Sequence, residues 1–164
     1  MLYKINFTLN GEKRTMGVYP HETLLDVLRY KLGITSPKSG CERGDCGTCT
    51  VKLNGLMVKS CLVLAVEVDG QEITTIEGLM MENDGLTPLQ HTFLKHNSFQ
   101  CGYCTPGMII AAEELLENNP DPTDEEIKEG LSGNLCRCTG YTPIIDAIKD
   151  HVKNVKNGGS HEQQ

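Results

Sequence analysis

Hydrophobic positions along this chain change period once, and the change divides the chain in two. Over the first half the period is mostly two. Tyr3, Ile5, Phe7 and Leu9 alternate with polar neighbours, which predicts a half-buried strand. Asn10-Gly11 is a two-residue hairpin signal, and residues 13–19 return as the second strand. Over 21–32 the period becomes helical: Leu24, Leu25, Leu28 and Leu32 share one face, and Gly33 is placed to end the helix in a left-handed cap. The runs TVKL and LMVK flank Asn54-Gly55 and predict a second hairpin, and EITTI at 72–76 predicts a last strand. Hairpin, helix, loop, hairpin and strand make an α+β domain over residues 1–76.

Residues 77–86, EGLMMENDGL, have no clear period and read as a linker. Met80 and Met81 are expected there as packing or linker residues, not ligands. From Thr87 the period is helical throughout. Thr87-Pro-Leu-Gln90 reads as a capping box with proline in the first turn. Met108, Ile109, Ala112, Leu115 and Leu116 form the stripe of a second helix, which stops before Pro120. Thr123 starts a third helix. Thr142-Pro143 starts a fourth, with Ile144, Ile145, Ile148, Val152 and Val155 on one face. This gives a helical domain over 87–156 and a disordered tail over 157–164.

Composition narrows the class. A net charge of −7 argues against nucleic acid as the main ligand. No apolar run reaches membrane-spanning length, and the N-terminus lacks the apolar core of a signal peptide. The eight cysteines are therefore expected as thiolates in a reducing cytoplasm, as metal ligands and not as disulfides.

Cys41, Cys46 and Cys49 stand at C-x4-C-x2-C spacing, and Cys61 follows the second hairpin. That is the plant-type ligand pattern for a [2Fe–2S] cluster. Gly40, Gly44 and Gly47 allow the loop to curl and aim N–H groups at a negatively charged group. Zinc modules favour paired C-x2–4-C knuckles, so zinc fits this C-x4-C-x2-C triplet less well. The other four cysteines are Cys101-Gly-Tyr-Cys104 and Cys136-Arg-Cys138. Each pair lies just before a predicted helix, whose N-terminus suits an anionic group. Taken alone, this second set fits a zinc ion as well as an iron–sulfur cluster; the first loop favours the cluster. The pairing with helix ends suits a buried setting, whereas Glu42, Arg43 and Asp45 suit an accessible one for the first loop. His21, His91, His96, His151 and His161 show no ligand spacing beside a carboxylate. No hydrolytic triad, phosphate loop or dinucleotide fingerprint is present, so no catalytic residue is expected in this chain.

GCERGDCGTCTV, CGYCTPGM and GNLCRCTGY, in this order, closely resemble the small iron–sulfur subunit of the molybdenum hydroxylases, the xanthine dehydrogenase family. The resemblance covers about residues 2–155. It implies an N-terminal β-grasp ferredoxin-like domain and a C-terminal four-helix domain. It implies one [2Fe–2S] cluster on Cys41, Cys46, Cys49 and Cys61 and another on Cys101, Cys104, Cys136 and Cys138. It further implies that Gln100 and Cys138 approach the pterin of a molybdenum cofactor. That cofactor would be carried by a large partner subunit, and FAD by a medium one, in a hetero-oligomer. The expected function is one-electron relay from the molybdenum–pterin site to FAD, with xanthine or another purine as substrate of the complex. Nicotinate, an aldehyde, carbon monoxide or an aromatic CoA thioester are alternative substrates. A free-standing ferredoxin-like carrier and a structural zinc protein are the alternatives to the subunit reading.

Overall fold

The computed structural model describes residues 1–79 and 85–158. Met80, Met81 and the tail from residue 159 lie outside them. The N-terminal half is a five-stranded sheet, ordered β2-β1-β5-β3-β4. Strands β1 (Tyr3–Leu9) and β2 (Glu12–Val18) form the first hairpin. Asn10 and Gly11 both take left-handed φ, 50° and 80°, as a tight hairpin turn requires. Strands β3 (Thr50–Leu53) and β4 (Leu56–Lys59) form the second hairpin on Asn54-Gly55 with the same turn geometry. Between the hairpins lies β5 (Glu72–Thr74), parallel to β1 and antiparallel to β3.

Two expected elements differ. The helix predicted over 21–32 is regular only over α1 (Leu24–Asp26) and continues as one wide π-turn, Val27–Lys31. It starts at Thr23, whose hydroxyl accepts from the Asp26 N–H while the Asp26 carboxylate accepts from the Thr23 N–H. The last strand stops at Thr74 and not at Ile76. The Thr75 N–H is taken by the Asn10 side chain at 2.9 Å, and Ile76 turns away to pack in the helical half.

One face of the sheet buries Ile5, Phe7, Leu9, Val18, Val51 and Ile73 against Leu24, Val27, Leu28, Ala65 and Val68. In the C-terminal half α2 (Pro88–Lys95) packs on α5 (Thr142–Lys156), and α3 (Thr105–Asn118) packs on α4 (Asp124–Gly130). Their apolar faces meet in a second core that includes Leu89, Phe93, Met108, Ile127, Leu131, Ile144 and Ile148. Thr87 and Thr123 cap α2 and α4 with complete capping boxes. Val155, expected on the buried face of α5, is exposed, because that face runs off the core in the last turn. Among the described residues no helix is long and apolar enough to cross a membrane.

The two halves are packed together through β3 and α3. Strand alternation sends Val51 into the first core and leaves Thr50 and Lys52, both buried, on the opposite face. Helix α3 covers that face, and the Lys52 ammonium meets the Glu117 carboxylate at 2.5 and 2.6 Å. Closer to the cysteine loop the backbones themselves approach. A Cβ added at Gly107, in the first turn of α3, would stand 2.4 Å from the carbonyl oxygen of Gly47. The helix can lie this close only because that position has no side chain.

Gly107→Ala is expected to force α3 away from the cysteine loop and to destabilise the protein by about 1–3 kcal/mol. Thermal unfolding measures the loss. An unchanged melting temperature would show that the contact yields at no cost.

Candidate metal centres

The eight cysteines are all free thiols, four in each half of the chain, and they approach one another in pairs: Cys41 with Cys46, Cys49 with Cys61, Cys101 with Cys138 and Cys104 with Cys136. The first group sits where the chain passes from the π-turn to β3. The Arg29 guanidinium shapes the approach by donating to the carbonyls of Thr35 and Pro37 at 3.0 and 2.8 Å. The base of the loop is closed by the Lys38 N–H on the Thr48 carbonyl at 2.8 Å. Gly44 and Gly47 are left-handed, as expected, and so is Glu42 at φ 55°, which nothing in the residue pattern announced. Gly40 has a different role: a Cβ there would lie 2.9 Å from the Cys46 sulfur. Inside the loop the Cys46 N–H points at the Cys41 sulfur, 3.4 Å away. The second hairpin brings Cys61 back to Cys49, and these two are buried together with Leu25.

The second group spans the chain between α2 and α5. Cys104 is the N-cap of α3. Cys101 and Cys138 lie sulfur to sulfur at 3.5 Å, and Cys136 neighbours Cys104. The turn from Asn134 to Tyr141 is held from within. The Tyr141 hydroxyl accepts the Cys136 N–H at 3.0 Å and donates to the Asn134 carbonyl at 3.2 Å. Thr139 Oγ1 lies 3.1 Å from the Cys136 sulfur. The N–H groups that reach these thiols include those of Tyr103, Cys104, Cys138 and Thr139, in the loops and at the cap of α3.

The thiols divide by environment. The backbone N–H of Arg43, then that of Cys46, bring Cys41 down to about 7. The N–H of Tyr103 likewise lowers Cys101. Burial opposes the thiolate at Cys136, but the Thr139 hydroxyl and nearby N–H groups hold it below the usual thiol range. Burial pushes Cys61 up to about 11 and Cys104 up to about 12. Each group therefore combines positions that favour thiolate with positions where only a bound cation would remove the proton.

Exposure departs in part from the expectation from the local sequence. In the loop group Cys49 and Cys61 are buried, and only the rim residues Glu42, Arg43 and Asp45 are exposed. In the helical group Cys101 and Cys138 are exposed, as is Gln100 beside them. The loop sits between the hairpin and the helical half, whereas the helical pairs lie at the edge of theirs.

The two groups meet through a short stretch of backbone. The Leu135 N–H donates to the Cys46 carbonyl at 2.9 Å, joining the residue before Cys136 to a loop cysteine. Asn134, buried, donates from Nδ2 to the Gly47 carbonyl at 3.1 Å. Lys59, half-buried, donates to Thr50 Oγ1, Asn134 Oδ1 and the Gly133 carbonyl. Tyr103 crosses as well, donating to the Ser39 carbonyl at 2.6 Å. Sequence reasoning singled out none of Lys59, Tyr103, Asn134 or Tyr141, since no periodicity or spacing marks them. Of the histidines, His96 pairs with Asp150 at 3.0 Å and His21 stacks on Tyr19, both away from the thiols.

Among the described residues no three or more His, Cys, Asp or Glu side chains form a group that could hold a metal ion. The thiols approach instead as pairs within each group of four. Soft sulfur donors in such pairs, with N–H groups aimed at them, have the donor chemistry of iron–sulfur sites.

Comparison with known proteins gives the same picture. Residues 7–81 match the family model of a 2Fe-2S iron-sulfur cluster binding domain, and residues 75–149 that of a [2Fe-2S] binding domain. The chain is 50% identical over 153 residues to the nicotinate dehydrogenase small FeS subunit of Eubacterium barkeri, covering 93% of this chain and 97% of that one. It is 49% identical over 155 residues to the nicotine 6-hydroxylase small subunit of Paenarthrobacter nicotinovorans, covering 94% and 92%. Among solved structures, quinoline 2-oxidoreductase from Pseudomonas putida 86 superposes with a TM-score of 0.89 at 44% identity, covering 97% of this chain and 99% of that one.

Tyr141→Phe should leave the Cys136 N–H without its partner. The expected cost is about 1–3 kcal/mol, with faster hydrogen exchange at the Cys136 amide. Denaturant unfolding and exchange measured together check it; an unaffected amide would show that the hydroxyl does not hold the turn.

Proposed function

The chain belongs to the small iron–sulfur subunits of the molybdenum hydroxylases, electron-transfer subunits of oxidoreductases with two [2Fe–2S] clusters, and on that footing we propose the part it plays. It carries electrons one at a time from the molybdenum–pterin site of a large subunit to FAD on a medium subunit. It enters a hetero-oligomer in the cytoplasm, the compartment that suits eight free thiols. Residues 1–76 form a β-grasp ferredoxin-like domain whose Cys41, Cys46, Cys49 and Cys61 hold one cluster. Residues 87–156 form a four-helix domain whose Cys101, Cys104, Cys136 and Cys138 hold the other, with 77–86 as the linker and 157–164 as a tail. When bound, a [2Fe–2S] cluster accepts and returns a single electron, at a potential set by its charge, hydrogen bonds and exposure.

The observation that carries this reading is the joining of the two thiol groups by the Leu135 N–H on the Cys46 carbonyl. That contact and the packing of α3 on β3 keep the two groups at one fixed separation, as a relay requires. The residues also divide the work. Gln100, Cys101 and Cys138 are exposed and suit the face that meets a partner's pterin, so electrons enter there. Cys49 and Cys61 are shielded from water, while the polar rim of their loop, with Arg43 and Asp45 paired at 2.6 Å, suits the exit toward the next acceptor.

For the substrate of the complex, the names of the relatives matched over nearly their whole length favour an N-heteroaromatic ring. Nicotinate, nicotine and quinoline all contain one, and xanthine falls in the same class. The residues that select the ring would lie in the large subunit.

The folded chain should bind four irons and four acid-labile sulfides, two of each per cluster. Stoichiometric zinc without sulfide, in protein prepared anaerobically with iron supplied, would favour the structural alternative. The order of transfer is tested in the assembled complex with Cys49→Ser, which removes the loop cluster alone. Substrate should still reduce the helical cluster quickly, while FAD reduction becomes slow. Blocked reduction of the helical cluster would reverse the order. A screen of the copurified complex against purines, nicotinate, quinolines, aldehydes, carbon monoxide and aromatic CoA thioesters tests the class. Turnover of aldehydes alone would overturn the N-heteroaromatic assignment.

A further inference from the structure

Lys59 ends β4, opposite Thr50 in the hairpin and two residues before Cys61. Strand pairing therefore sets it beside both ends of the buried Cys49–Cys61 pair. Its ammonium is held at three points, by Thr50 Oγ1 at 3.1 Å, the Gly133 carbonyl at 2.9 Å and Asn134 Oδ1 at 3.1 Å. All three acceptors are neutral. Among the described residues Lys59 has no carboxylate partner, unlike Lys52, Lys95 and Lys149, which all have one. Burial lowers the Lys59 ammonium's pKa, and the charges that oppose this and favour its protonated form are those of the loop thiols, Cys49 first, then Cys46, Cys61 and Cys41. The arrangement is stiff: Thr50 Oγ1, which accepts from the ammonium, itself donates to the Gly47 carbonyl inside the ligand loop at 2.6 Å.

A lysine immobilised without a counter-ion beside a set of thiols has a specific electrostatic consequence. The oxidised and reduced forms of a cluster on those thiols differ by one negative charge, and a nearby positive charge favours the reduced form. Resting on the assignment of Cys41, Cys46, Cys49 and Cys61 as ligands, we propose that Lys59 is a positioning residue that supplies the counter-charge of the loop cluster. It raises that cluster's potential relative to the helical one. Two of its three bonds run to Gly133 and Asn134, in the segment that leads to Cys136, so the placement of the charge depends on the docking of the two halves. The loop cluster is thus an electron acceptor tuned by the contact between the halves, and transfer from the helical cluster to it runs downhill.

The test is a redox titration of the full chain with both clusters present, followed by electron paramagnetic resonance, for wild type, Lys59→Gln and Lys59→Arg. In Lys59→Gln the loop signal should shift to lower potential, disfavouring its reduction on the order of tenfold, while the helical signal moves much less. Lys59→Arg, which keeps the charge, should restore most of the difference. Two intact signals with an unmoved loop potential in Lys59→Gln would overturn the proposal. So would loss of the loop cluster in both variants, since the side chain would then be needed for its shape and not its charge. Loss in Lys59→Gln with retention in Lys59→Arg supports the charge. Wild-type protein that fails to show two [2Fe–2S] signals would instead refute the ligand assignment itself.

Discussion

One carbonyl oxygen, that of Gly47, holds the molecule together at its most demanding point. It accepts from the Thr50 N–H, the Thr50 hydroxyl and the Asn134 amide, and α3 passes over it at a distance that only a glycine allows. Gly47 is itself left-handed and has no room for a side chain, because a Cβ there would lie 2.3 Å from the Gly133 carbonyl. The residue thus meets three requirements at once. It turns the ligand loop, it lets the 133–134 segment approach, and it presents a saturated acceptor to the interior. Buried carbonyls with full sets of donors are rigid, and rigidity is what two redox centres need from the protein between them.

Around that point the protein handles positive charge in two ways. Lys52 lies between sheet and helix and spends its charge on Glu117. Lys59, one hairpin arm away, has only neutral acceptors and keeps its charge for the thiols. A chain with net charge −7 that also carries eight cysteine thiols has few cations to spare, so the placement of one half-buried lysine matters more than the total.

Much of the framework was legible in the residue pattern because it depends on local chemistry. Both Asn-Gly turns, the capping boxes at Thr87 and Thr123, and the cysteine spacings all stand where short-range rules place them. Departures from the pattern arise mostly where distant contacts override those rules. The helix at 21–32 widens after Asp26, although Thr-Leu-Leu-Asp at 23–26 carries a capping signal that would have set its start. The strand at 72–76 ends early because Asn10, far away in sequence, takes its next N–H. In the candidate site, the cysteines announced themselves by spacing, but Lys59 and Asn134 did not. Each acquires its role only from a partner more than seventy residues away. The burial of Cys49 and Cys61 and the exposure of Cys101 and Cys138 escape the residue pattern for the same reason. Rim charges in the loop and helix starts near the pairs are local features, whereas burial is decided by which element covers which.

The strand order carries a consequence for how the molecule is made. Each hairpin, β1–β2 and β3–β4, pairs neighbours in the chain and can form as soon as it is synthesised. The strand between them, β5, is the last of the five in sequence yet sits at the centre of the sheet. Its parallel pairing with β1 joins residues 8 and 72, the slow, long-range step in such a fold. Until that step is complete the two hairpins are separate bodies, and the Cys41–Cys49 loop that connects them has no enclosed shape. Biogenesis is therefore ordered by topology: the ribosome must deliver residue 74 before the loop can close around anything. The helical half, which follows it out, then seals the loop from outside.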